Sequence, residues 1–75
     1  MKDPGMVIDL HTENVCSRYA ILKNISQDKA IEIFLSSKTY EALLDIETGL
    51  CYEMTDYIYE MFLEEGDTNE LQAVN

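Results

Sequence analysis

The sequence predicts an all-α fold: a compact small domain of three to four helices, with a short hairpin or extended segment near residues 46–52. Three observations carry this prediction. Apolar residues recur at three- and four-residue spacings in four separate stretches. Ser, Thr or Asn stands between those stretches, where helix ends need capping. Gly49 gives the clearest turn signal and separates the third stretch from the fourth. Hydrophobic residues make up 47% of the 75, enough for a core and too many for a disordered chain. A chain this short buries only about 60% of the surface its unfolded form exposes, so the core has little margin. The expected organisation is one helical domain over residues 1–66 and a flexible, polar tail over 67–75.

The first helix is expected over residues 7–23, where Ile8, Val15, Tyr19 and Leu22 follow one another at seven, four and three, with Cys16 and Ala20 beside them. Lys23 suits its negative end, and Asn24 tolerates a left-handed cap. Ser26 is the expected N-cap of the second helix, "QDKAIEIFLSS", with Asp28 in its first turn. Ser37 or Thr39 caps the third, "KTYEALLDIETG", whose Tyr40, Leu43 and Leu44 share a face. "LCYE" then reads as extended, with a small hairpin through "IETG" as an option. Thr55 is the expected cap of the last helix, "DYIYEMFLEE", and Gly66 its expected end. The predicted core is Val15, Tyr19, Leu22, Ile31, Phe34, Leu35, Tyr40, Leu43, Leu44, Ile58, Met61 and Phe62.

Charge divides the chain. Residues 1–38 balance Lys2, Arg18, Lys23, Lys29 and Lys38 against Asp3, Asp9, Glu13, Asp28 and Glu32. The other ten of the fifteen acids follow Lys38, with no Lys or Arg among them, so the whole net charge of −10 lies there. Such a surface repels phosphate backbones and anionic membranes, which argues against nucleic-acid and membrane partners. It attracts a basic protein.

No apolar run reaches the roughly 18 residues of a membrane span. The opening "MKDPGMVIDL" lacks the pattern of a secretory leader. Cys16 and Cys51 share no chelating spacing and read as reduced thiols of a cytoplasmic protein. Cys16 fits a core position. Cys51 is either buried and inert or the reactive thiol of a small hydrolase or redox protein. His11, the single histidine, has no fixed partner in sequence and reads as a surface or capping residue. It points away from Cys16 on a shared helix.

No zinc, phosphate-loop or metalloprotease spacing occurs. Asp45, Glu47, Gly49 and Asp56 imitate a calcium loop, but Leu50 and Asp56 stand where that loop demands Gly and Glu. The expectation is a chain with no catalysis of its own, no cofactor and no metal.

The candidate partner-binding residues lie around the last helix. Glu53, Asp56, Glu60 and Glu64 recur at three, four and four, so they share one face. Tyr52, Tyr57 and Tyr59 interleave with them, and only some can face the core. An exposed tyrosine among acids is a good interface anchor, because it buries large area at low entropy cost. The expected contact set is Tyr52, Glu53, Asp56, Tyr59, Glu60 and Glu64.

From "KAIEIFLSSKTYEALLDIETGL" to "YIYEMFLEE", the chain resembles a small bacterial family of uncharacterised proteins, a domain of unknown function. The residues that carry the resemblance are Phe34, Ser37, Lys38, Thr39, Tyr40, Leu43, Leu44, Glu47, Thr48, Gly49, Leu50, Tyr57, Ile58, Glu60 and Met61. Families of this kind are often encoded beside larger toxin-like or ADP-ribosyltransferase-like proteins. The resemblance implies an accessory or antitoxin-like role and assigns no catalytic residue. Together these readings predict a small acidic protein-interaction module with a basic protein partner, one encoded nearby being an option. The alternative is a transcription-related helical domain that binds DNA as a dimer through Arg18, Lys23, Lys29 and Lys38. The short chain and its large apolar residues leave monomer and homodimer both open.

Overall fold

A computed structural model describes the backbone of residues 4–74 and the side chains of residues 4–66. The described residues form four α-helices: α1 (Pro4–Lys23), α2 (Gln27–Leu35), α3 (Lys38–Leu44) and α4 (Thr55–Val74). Two single 3-10 turns, Ile46–Thr48 and Leu50–Tyr52, join α3 to α4. None of the described residues is in a strand, so the all-α prediction stands.

The ends of the helices are set locally. Pro4 opens α1, where its missing N–H removes nothing the helix needs. Asn24 ends it in the left-handed conformation, at φ 56°. The Asn24 N–H donates to the Ile21 carbonyl and the Ile25 N–H to the Ala20 carbonyl, which completes a Schellman cap. Ile25 then turns back onto the core. Ser26 caps α2 by accepting from the Lys29 N–H. Ser37 caps α3 by accepting from the Tyr40 N–H, and its own hydroxyl donates to the Phe34 carbonyl.

The segment after α3 forms no hairpin and is not extended. The Asp45 carboxylate accepts from the Glu47 N–H. The Thr48 hydroxyl reaches the Ala42 and Asp45 carbonyls and accepts from the Leu50 N–H. These short-range bonds coil the chain into one 3-10 turn on each side of Gly49, whose φ of 69° suits glycine. A hairpin would have needed a second strand and a flat apolar face, and "LCY" instead sends Leu50 and Cys51 inward.

Thr55 is the first residue of α4 and not its cap. The preceding Met54 carbonyl accepts from the N–H groups of Tyr57 and Ile58. The helix also continues through Gly66 to Val74. The tail expected over 67–75 falls on residues whose side chains lie outside the described ones.

The core centres on Phe34. Its ring meets Phe62 edge-on at 5.0 Å and Tyr40 at 5.5 Å, and Tyr19 packs on Phe62 at 4.7 Å. Val15, Leu43 and Ile58 are fully buried with it, and Tyr19, Ile31, Tyr40 and Met61 pack against the cluster. Small residues, Cys16 and Ala20 on α1 and Ala30 on α2, let those two helices approach closely. Burial pushes the Cys16 thiol up to about 11.

Three predicted core residues are not buried: Leu22, Leu35 and Leu44 are 57%, 46% and 49% exposed. Each is the last or next-to-last residue of its helix. Periodicity gives the side a residue faces but not how far the neighbouring helix extends alongside it. In their places the core takes Ile8, Ala20, Ala30, Leu50 and the two cysteines.

Candidate functional site

Helix α4 builds the site because its two sides differ. Ile58 and Phe62 are buried, and Glu65 points back toward α3. The opposite side is left to solvent, and it carries Asp56, Glu60 and Glu64 at four-residue spacing. Glu53, just before the helix, is exposed as well. Glu53, Glu60 and Glu64 form no ion pair among the described residues. Asp56 does form one: the Arg18 guanidinium crosses from α1 to its carboxylate. The same guanidinium lies 5.6 Å from the centre of the Tyr59 ring.

The predicted contact set therefore divides. Tyr52 is 65% exposed and stands free of the core, as do Glu53, Glu60 and Glu64. Tyr59 is half-buried, packed against the core and under Arg18. Tyr57 takes the outward position instead and is 52% exposed. Spacing alone does not separate the two tyrosines. Tyr57 is three residues before Glu60 and Tyr59 three after Asp56, and it is packing against the core that turns Tyr59 inward.

Glu65 belongs to the structure. Its Oε2 accepts from the Lys38 N–H at 2.8 Å, and its Oε1 accepts from the Thr39 N–H and hydroxyl at 2.9 and 2.8 Å. A carboxylate from α4 thus satisfies the orphan donors at the start of α3. Partial burial alone would raise the Glu65 carboxyl. The bonds from Lys38 and Thr39, with the Lys38 charge, bring it below its ordinary value of 4.5.

His11 is neither a surface residue nor a cap. It is half-buried, with Nε2 2.9 Å from the Cys51 carbonyl oxygen and Nδ1 2.8 Å from the Thr55 hydroxyl. A carbonyl can only accept, so in the neutral ring Nε2 carries the proton and the Thr55 hydroxyl donates to Nδ1. The imidazole ties α1 to the second 3-10 turn and to the start of α4. It meets the backbone of Cys51, while the side chain of that residue is 1% exposed and sealed in the core.

A cleft of about 370 Å³ opens where α1, α2 and α4 meet, lined by Tyr19, Glu32, Ser36, Ser37, Phe62 and Glu65 among others. Three of its polar side chains are engaged. Ser36 donates to the Glu32 carbonyl, Ser37 serves the end of α2 and the start of α3, and Glu65 holds α3. No group of His, Cys, Asp and Glu among the described residues is arranged to hold a metal ion. No helix among the described residues is long and apolar enough to cross a membrane. No family model, curated protein or solved structure matches this chain.

Proposed function

We propose that this chain is a small protein-interaction module, accessory or antitoxin-like in role, that binds a basic protein partner through the outward face of α4. The contacts are Tyr52, Glu53, Glu60 and Glu64, with Tyr57 in the position first assigned to Tyr59 and with Asp56 shared with Arg18. The observation that carries this reading is the set of unpaired, exposed carboxylates beside two exposed tyrosines. Tyr57, Glu60 and Glu64 lie on a helix whose other side is committed to the core, with Tyr52 and Glu53 just before it, so the face is presented rigidly and little ordering is needed on binding. The module acts by binding, without catalysis of its own, in the cytoplasm, where both buried cysteines stay free thiols.

The DNA-binding alternative has less support. Arg18 is engaged by Asp56, Lys29 lies 3.9 Å from Glu32, and Lys23 leans over the Tyr19 ring. The deciding experiment pairs capture from native extract with charge reversal. Glu60→Lys with Glu64→Lys should slow association with the captured basic protein by about ten-fold at low salt, and by less as salt rises. Salt-sensitive binding of duplex DNA by the unmodified chain, with no protein captured, would overturn the proposal.

A further inference from the structure

We infer that the segment this module recognises is an amphipathic basic helix, seated on an exposed apolar strip of α4 made by Met54, Tyr57 and Met61. This rests on the partner-binding reading and specifies what the partner must present.

The strip follows from the helix. Met54 precedes the first residue of α4, and Tyr57 and Met61 follow at three and four, so the three line up. Met54 is 73% exposed and Tyr57 52%, while Met61 is half-buried at the strip's inner end. The core already has Ile58 and Phe62 from this helix, and neither Met54 nor Tyr57 is in its cluster. Large apolar side chains grouped in water mark an interaction surface. Methionine, unbranched and polarisable, adapts to a helix laid across it.

The surroundings of the strip select the occupant. Glu53, Glu60 and Glu64 run along one flank. Helix α3 lies along the other, since Glu65 grips its first residues. Leu44 and Ile46, at and just after the end of α3, are exposed as well, and so are Glu41 and Glu47 close to them in the chain. No Lys or Arg occurs after Lys38, so the charges that α4 and the residues just before it carry beside the strip are all negative. A second copy would bring the same acids against these and is repelled. An apolar face bordered by Lys or Arg fits both features. The strip from Met54 to Met61 is about 10 Å long, so two turns of helix with apolar residues at i, i+3 or i+4, and i+7 would cover it.

The test uses synthetic peptides of about 14 residues, long enough to form helix on binding. One repeats Leu and Lys in amphipathic helical order. The other has the same composition, scrambled so that no apolar face forms. At physiological salt the unmodified chain should bind the patterned peptide about ten-fold more tightly than the scrambled one. Met54→Ser with Tyr57→Ser should remove that preference while the melting temperature and helical signal stay unchanged. Glu60→Lys with Glu64→Lys should weaken both peptides alike. Equal binding of the two peptides, or a preference that survives the Ser variant, would overturn the strip. Loss of both on charge reversal would still uphold the acidic face. Light scattering that shows a dimer dispersed by the Ser variant would also overturn it, because a second copy would then be the occupant.

Discussion

The chain up to Lys38 and the chain after it handle charge in opposite ways. In the first part, bases meet neighbours. Arg18 joins Asp56 and the Tyr59 ring, Lys23 lies over Tyr19, and Lys29 approaches Glu32. In the second part, Glu65 and Asp45 hold backbone N–H groups and Asp56 holds Arg18, but Glu53, Glu60 and Glu64 have no cationic partner among the described residues. The difference separates charge that serves the fold from charge that is left over. Like charges on one helix face cost roughly 0.2–0.5 kcal/mol per pair, and the fold gains nothing visible in return.

The largest effect should come from the part both halves share. Phe34 comes from the first half and touches Phe62 and Tyr40 in the second. Phe34→Ala should lower stability by about 3–5 kcal/mol in urea unfolding, most of what a small domain has. Leu35→Ala, one residue on and largely exposed, should cost under about 1 kcal/mol. Equal losses at the two positions would show that the core does not centre where the structure has it.

Next comes the acid of the second half that caps another helix. Glu65→Ala should cost about 1–2 kcal/mol by leaving the first amides of α3 without acceptors. The same carboxylate gives a pH signature. Its folded value is below the ordinary 4.5, so its contribution is fully present above that value. It is lost as pH falls through the lower, folded value. Thermal melts across the acid range should show this loss in the unmodified chain and a flatter profile in Glu65→Ala. An unchanged profile would remove Glu65 from the structural set and return it to the acidic face.

Gly66 should respond with the opposite sign. It is interior to α4, and a β-carbon there meets nothing within 4 Å. Gly66→Ala should stabilise by about 0.5–1 kcal/mol, read as a higher melting temperature. A drop would mean that the chain stops being helical there, as the sequence reading expected.

The smallest effect should be at the bridge between the halves. The Arg18 and Asp56 side chains are both well exposed, so Arg18→Ala should change stability by no more than about 1 kcal/mol. It also frees Asp56, so binding of a basic peptide should strengthen slightly at low salt. Weaker binding would mean that the cation over Tyr59 is itself part of the recognised surface.

Much of this protein was legible in its sequence. The four helices, the left-handed Asn24, the caps at Ser26 and Ser37, the turn at Gly49 and the one-sided charge all follow from residues within a few positions of one another. Helical periodicity and capping act over that range, so a sequence can state them directly. The tertiary structure decided what depends on distant chain. His11 finds Thr55 across 44 residues and Cys51 across 40, and Glu65 finds Thr39 across 26. Whether Tyr57 or Tyr59 faces water depends on which side of α4 the core and Arg18 occupy. Leu22, Leu35 and Leu44, each at or next to the end of its own helix, fall outside the core although their spacing fits it. Spacing along one helix cannot state where another one ends, and the packing of the whole chain sets that boundary.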